Sequence, residues 1–517
     1  MKSDASLSRR RSTLWLGLFW ILVGCGHSPA TPMKSSAPKA RAVPVPVGIQ
    51  ARGKIRHVVL IIQENRSFDN IFGGFTSPLT GQPEPFPGAD STFPDWVVAS
   101  LQPGSYKIPP ANGIYASHNA WQCLHLAASP FSPLAWQSLA SQGSASCPNY
   151  PAGEAFTTRP FWYLQPQYST VYRDIAAKYV LGDYFFAITT TSSFPAHQYL
   201  VAAQSRDSDG DVVDDQPSPG DCSNTGPTTT LPLLAPSGYS TTTGGGYGGH
   251  CYNNQTLADR FPVDSCKQAD GLPPPGQKGA PCPWKHFVTS QTSGVFDGFI
   301  NIQKWYKLTP QWPTSQRDLK RCIDGVLPGC SADSHGETLP ELIWVKPPCT
   351  ALSDHPGSSP NGQQWVGWVI NQIGASPNWG STAIFVLWDD WGGFFDHVVP
   401  PPPRKNANGV ADPLGGGVRM PLLVISPWGN NQVVAHTYAD FGSILKFVED
   451  LYDLHPPLSD TVDGDAPDLS VFFNFNKPMP DPFRAISIQS SFDPVTACES
   501  ATDIPNIIDG VPVRSMK

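Results

Sequence analysis

Short apolar runs that end abruptly on polar residues set the pattern of this chain. Val58 to Ile62 is rich in β-branched residues, does not alternate, and is too short for a buried helix. It reads as a central strand of a parallel sheet, buried on both faces. Ala383 to Leu387 has the same character, and Leu422 to Ile425 reads as a further buried strand. Helical spacing appears between and after them: Tyr172 to Tyr179, Gln198 to Ala203, Trp365 to Ile373, and Gly442 to Tyr452 with Ile444, Leu445, Phe447, Val448 and Leu451 on one face. Phe68 to Phe72 begins another helix, and Asp183 to Phe186 returns toward the sheet. This alternation predicts an α/β fold, a mostly parallel central sheet covered by helices on both faces.

The residues that stop the runs carry the candidate chemistry. Glu64 and Asn65 follow the first strand, and Asp389 and Asp390 follow the second. In open α/β sheets the carboxyl ends of the strands are where ligands bind. Oxygen donors of this kind suit one hard divalent cation. Three carboxylates within ~4 Å of one another repel by several kcal/mol per pair at an effective dielectric near 20, a cost that such a cation removes. The plainer alternative is a structural cap at each strand end. Ser193-Phe194-Pro195 marks a turn before the helix at Gln198, which puts the Ser193 hydroxyl near a helix N-terminus. There it either faces a bound oxyanion or phosphate or simply caps the helix.

Composition changes the picture toward a loop-rich body. Only 15% of the 517 residues are charged and 56 are Pro, against about 25% charged and about half that share of Pro in an average domain. The net charge is −8, and an acidic chain is a poor nucleic-acid binder, so no nucleic acid is expected as a partner. Asp207 to Asp215 looks like a calcium loop, but the twelfth position counted from Asp207 is Ser218 where a Glu is required, which makes it a solvated acidic turn. Gly244 to Gly249 lacks the Lys of a phosphate-binding loop.

Residues 1–24 hold Arg9, Arg10 and Arg11, then the apolar run Leu14 to Val23, the order of parts in a signal peptide. Leu22 to Cys25 resembles a bacterial lipobox, which implies cleavage before Cys25, lipidation of its thiol and a membrane anchor, hence a cell-envelope lipoprotein. Cleavage removes Lys2, those three Arg and Asp4, a net +3, taking −8 to −11. The Pro-rich residues 25–52 read as a tether and residues 53–517 as the catalytic domain. Ten cysteines remain beyond Cys25, an even number without CxxC spacing, which argues for disulfides stapling long loop insertions, above all between Cys222 and Cys349.

ENRSFDNIFG (Glu64 to Gly73) resembles the signature of a bacterial phosphoesterase family that includes phosphocholine-type phospholipases C and a group of acid phosphatases. The similarity continues through SSFPAHQYLVAAQS (Ser192 to Ser205), SDHPG (Ser353 to Gly357), the segment Ser376 to Pro402, GVRMPLLVISPWG (Gly417 to Gly429) and Phe441 to Leu454. It implies the alkaline-phosphatase-like fold and hydrolysis of a phosphoester through a phosphoserine intermediate. Ser193 is then the nucleophile and, with Glu64, Asn65, Asp389 and Asp390, holds the metal. His118, with His125 as its competitor, His355 and His397 would contact the phosphoryl group and protonate the leaving group. The phospholipase pattern has Thr at the nucleophile and Asn-Arg after the Pro; Ser193 and Ala196-His197 are closer to the acid phosphatases. The alternatives are a phospholipase C acting on lipid head groups and a surface lipoprotein that keeps the fold without catalysis.

Overall fold

The computed structural model describes residues 44–72, 162–164, 168–189, 193–206, 252–261, 283–288, 298–299, 302, 305, 316–354, 361–394, 396, 398–404, 416–459 and 462–499, together with short strands at 102–104, 212–213, 230–235, 238–243, 507–508 and 511–512. Eight strands form the central sheet: β1 (His57–Gln63), β2 (Val180–Phe186), β3 (Trp284–Phe287), β4 (Leu342–Val345), β5 (Thr382–Trp388), β6 (Arg419–Ile425), β7 (Val433–Ala435) and β8 (Ala439–Asp440). Their order is β7-β2-β6-β5-β1-β4-β3, with β8 also on β2. Every ladder is parallel except the two made by β6, which runs antiparallel to β5 and β2. The mixed α/β class and mostly parallel sheet expected from the apolar runs are therefore present. Leu422 to Ile425 is a strand as expected, but an antiparallel one. Strands β1, β5 and β6 are buried at every residue, which is why they read as unbroken apolar runs rather than alternating ones.

The helices include α1 (Val47–Ala51), α2 (Phe68–Phe72), α3 (Thr170–Lys178), α4 (Ser193–Ala202), α5 (Gln316–Ile323), α6 (Asn361–Gly374), α7 (Phe441–Tyr452) and α8 (Pro494–Glu499), of which α2, α3, α4, α6 and α7 fall where the spacing predicted them. Helix α7 starts where Asp440 and Ser443 exchange side-chain to backbone hydrogen bonds, each 3.2 Å, which satisfies N–H groups that the first turn leaves unpaired. Helix α4 is buried at all ten positions, so it carries no amphipathic stripe. It begins at Ser193, ahead of the Gln198 start that the turn at Pro195 implied; Pro195 sits in the first turn, where its missing N–H costs nothing.

The compact unit runs from Val45 to Lys517. Residues 45–52, assigned to the tether by composition, thus pack on the body: Val47 and Ala51 are buried. A Cβ on Gly48 would lie 2.6 Å from the Phe447 carbonyl oxygen of α7, so only glycine allows α1 to approach this closely. Among the described residues two disulfides are formed, Cys322–Cys330, which joins the last turn of α5 to the segment after it, and Cys349–Cys498. The second ties the loop after β4 to α8, so Cys349 pairs outside the cysteine cluster in which the sequence placed it. The other six of the ten lie outside the described residues.

Candidate active site

Strands β1 and β5 run in register up to Gln63 opposite Trp388. The residues that follow, Glu64 with Asn65 and Asp389 with Asp390, therefore emerge side by side at the carboxyl edge. Backbone bonds fix the junction: the Asp389 N–H donates to the Gln63 carbonyl and the Arg66 N–H to the Asp390 carbonyl, each at 3.0 Å. The Asn65 N–H donates to Asp389 Oδ1 at 2.9 Å. Asn65 has φ 57°, a left-handed conformation that Asn tolerates better than most residues. Gly392, at φ +64°, passes so close that a Cβ would fall 2.4 Å from the Asn65 carbonyl oxygen. The glycine after Trp391 is thus a steric requirement of the site, and the strained Asn65 is held by its surroundings.

Ser193 enters from the first turn of α4. Its Oγ donates to Asp390 Oδ2 at 2.9 Å and accepts from Asn65 Nδ2 at 3.0 Å, while the same Nδ2 donates to Asp390 Oδ2 at 2.8 Å. Among the described residues no helix N–H donates to this hydroxyl, so Ser193 points at the strand ends instead of capping its own helix. One turn later on α4, His197 Nε2 lies 3.0 Å from Glu64 Oε1 and 3.7 Å from Asp389 Oδ2. Its Nδ1 is 2.9 Å from Lys346 Nζ, the residue just after β4. None of Glu64, Asn65, Ser193, His197, Asp389 and Asp390 is more than 2% exposed.

Burial at this density sets the electrostatics. Desolvation, reinforced by the charge of Asp389, pushes the Glu64 carboxyl well above the usual range. Desolvation also raises Asp389, against the hydrogen bonds it accepts. Burial, then the charges of Lys346 and His286, push His197 well below the ordinary histidine value. Glu64 Oε2, Asn65 Oδ1 and Asp389 Oδ2 are buried and have no hydrogen-bond partner. Buried oxygens are almost always satisfied, and three unsatisfied ones on adjoining residues fit a divalent cation. Glu64, His197 and Asp389 also form a grouping of potential ligand atoms within 4.8 Å of one another.

The structure thus brings together Glu64, Asn65, Ser193, Asp389 and Asp390, the five residues proposed as metal ligands. His118, His355 and His397 lie outside the described residues. The residues preceding two of them are firmly held. Asp354 accepts from the Tyr172 hydroxyl at 2.5 Å and from Trp388 Nε1 at 3.1 Å, and its N–H donates to Gln63 Oε1 at 3.0 Å. Asp396 accepts from Arg419 Nε at 3.0 Å and from the Asp69 N–H at 3.1 Å. Sequence reasoning missed His197 as part of the site, although it stands four residues after Ser193 and hence on the same helix face. It also missed Lys346, which ends the apolar run Leu342 to Val345 as Glu64 and Asp389 end theirs. A separate cavity of about 510 Å³, lined by Arg56, His57, Glu337 and Tyr452 among others, opens at the amino ends of β1 and β4, away from this site.

Comparison with known proteins agrees with this geometry. The chain is 32% identical over 194 residues to the non-hemolytic phospholipase C of Pseudomonas aeruginosa, covering 32% of this chain and 28% of that protein. It is 33% identical over 171 residues to the protein of the same name from Burkholderia pseudomallei, covering 28% of this chain and 24% of that one. The chain thus spans about a quarter of the length of these two relatives. The similarity to phospholipase C B of Mycobacterium tuberculosis is longer, 26% identity over 489 aligned positions, covering 83% of this chain and 79% of that protein. The profile of the Phosphoesterase family matches residues 55–455, most of the chain, and with the strand ends and Ser193 arranged as described, the chain belongs to the phosphoesterase family.

Proposed function

We propose that this protein hydrolyses phosphoesters by forming a covalent phosphoserine on Ser193. The observation that carries this reading is the Ser193 hydroxyl, turned away from its own helix and held between Asn65 and Asp390. In that position Oγ attacks phosphorus in line with the leaving oxygen as its proton passes to Asp390 Oδ2, the atom it already donates to. Asn65 Nδ2 holds Oγ in place during the attack. A divalent cation held by Glu64, Asn65, Asp389, Asp390 and Ser193 would neutralise charge and lower the hydroxyl pKa. Oxygen donors of this kind favour magnesium, calcium or manganese over softer metals. His118, His355 and His397 are the residues proposed to orient the phosphoryl oxygens and to protonate the departing alcohol.

For the substrate, Ser193 and Ala196-His197 in place of the Thr and Asn-Arg of the phospholipase pattern favour a monoester, in the manner of an acid phosphatase. The phospholipase C names of the relatives favour a second reading, a phospholipid head group. Assaying the purified chain on p-nitrophenyl phosphate and p-nitrophenylphosphorylcholine across pH separates them. Faster monoester cleavage supports the first reading and faster choline-ester cleavage the second; turnover of neither overturns both.

We further propose that residues 1–24 direct export and that Cys25 is lipidated. The Cys322–Cys330 and Cys349–Cys498 disulfides support an oxidising compartment. Wild-type protein should incorporate labelled fatty acid and Cys25→Ser should not; absence of label in wild type removes the anchor.

A further inference from the structure

We infer that His197 is a positioning residue and not a ligand of the cation: Lys346 donates to its Nδ1, which leaves the hydrogen on Nε2 to hold Glu64 by Oε1 and so to present Oε2 to the metal. The inference rests on the cation site proposed above. A neutral imidazole carries one N–H, and which nitrogen bears it is set by the partner of the other. In a histidine that binds a metal, the distal ring nitrogen is ordinarily protonated and donates to a carboxylate or a carbonyl. The partner here has the opposite polarity. Lys346 is buried, 3% exposed, and an ammonium has donors only; at 2.9 Å from Nδ1 it makes that nitrogen the acceptor. The hydrogen then sits on Nε2, whose nearer acceptor is Glu64 Oε1 at 3.0 Å, with Asp389 Oδ2 at 3.7 Å. A nitrogen that bears a hydrogen in the ring plane has no lone pair to give to a cation.

The oxygen atoms divide consistently with this. Glu64 Oε1 meets His197, whereas Glu64 Oε2, Asn65 Oδ1 and Asp389 Oδ2 have no hydrogen-bond partner. The relay from Lys346 through His197 to Glu64 thus runs from the end of β4 across α4 to the end of β1. It also gives a physical role to the position where the phospholipase pattern has Arg. An arginine there would carry its own positive charge to the site, whereas the neutral His197 borrows that of Lys346.

The test is pulsed electron paramagnetic resonance on the full chain loaded with Mn²⁺, comparing wild type with His197→Gln. Glutamine keeps both an N–H donor for Glu64 and an oxygen acceptor for Lys346. The expected result is the same Mn²⁺ nitrogen signal in both proteins, none of it assignable to residue 197. By calorimetry, Mn²⁺ affinity should stay within about threefold in His197→Gln and fall about 10- to 100-fold in His197→Ala and Lys346→Met, as loss of an outer partner does. Directly bound nitrogen that is present in wild type and lost in His197→Gln overturns the inference, as does failure of wild type to bind Mn²⁺. If His197→Ala does not fold, the spectra of wild type and His197→Gln still decide. Phosphoester hydrolysis by a protein whose His197 binds Mn²⁺ would sink this inference and leave the proposed function standing; an intact relay on a protein that hydrolyses no phosphoester does the reverse.

Discussion

The Ser193 hydroxyl and the Asp390 carboxylate, 197 residues apart in sequence, meet in a 2.9 Å hydrogen bond in which Ser193 is the donor. The bond exists because α4 begins at the carboxyl edge of the sheet with its first side chain facing the end of β5. Replacing Asp390 by Asn keeps the shape but removes the charge proposed to accept the serine proton and to help hold the cation. Turnover of a phosphoester should fall about 10²- to 10⁴-fold, the usual size of a general-base contribution, while circular dichroism stays unchanged. A folded Asp390→Asn enzyme with near-wild-type kcat would remove Asp390 from the reaction.

Removal of metal should show in stability as well as in rate. Glu64 and Asp389 are buried and their carboxyl groups pushed upward, so without a cation the folded state carries charges that it must neutralise. A cation present at a hundred times its Kd stabilises by about 2.7 kcal/mol. Dialysis against a chelator should therefore lower Tm and abolish turnover, and Mn²⁺, Mg²⁺ or Ca²⁺ should restore both. Identical melting curves for the cation-loaded protein and for protein that chelation has rendered metal-free would contradict this.

Arg419 is buried between Asp69, at 2.9 Å, and Asp396, at 3.0 Å, and none of the three is more than 1% exposed. It also donates to the Asp183 carbonyl at 3.1 Å. Arg419→Met should cost about 3 to 5 kcal/mol, because it leaves two buried carboxylates facing each other. Since Asp396 directly precedes His397, the variant should lose activity at temperatures where it is still folded. Urea denaturation beside a rate measurement on the folded variant checks both parts.

Away from the site, Glu337 predicts the acid limb of stability. Burial would raise its carboxyl, but hydrogen bonds with His57, Arg56 and Ser381 outweigh this and bring it down to about 2 from 4.5. A depressed carboxyl contributes stability that is complete above the unfolded value and is lost as pH falls through the folded one. The loss should therefore run from about pH 4.5 to about pH 2. Glu337→Gln should be destabilised by about 1 to 3 kcal/mol at neutral pH and should lose less stability than wild type across that window. Parallel stability-pH curves for the two proteins would show that Glu337 does not set it.

What the sequence revealed and what it hid divides along physical lines. Strands β1 and β5 were legible because burial on both faces keeps the run apolar until the strand stops, and the residues just beyond are the proposed ligands. Ser193 was ambiguous, since a cap and a nucleophile look the same until the direction of the hydroxyl is known; its bonds to Asn65 and Asp390 decide against the cap. The antiparallel direction of β6 was hidden because a doubly buried strand reads the same either way. Lys346 was hidden because only pairing of β4 with β1 brings its amine to His197, and that pairing links Leu342 to Val58 across the chain. The helix at Val47 to Ala51 was hidden by its Pro-rich neighbours, and tertiary contacts, chiefly packing on α7, stabilise so short a segment.

The central claim is that Ser193 carries the phosphoryl group, and rapid acid quench with mass spectrometry tests it most directly. Wild-type protein mixed with p-nitrophenyl phosphate or p-nitrophenylphosphorylcholine should yield a peptide phosphorylated, or carrying the phosphodiester group, on Ser193. Folded Ser193→Ala should yield none and turn over several orders of magnitude more slowly, while Ser192→Ala retains substantial activity. A folded Ser193→Ala with near-wild-type turnover, or a label that maps to another residue, would contradict the account.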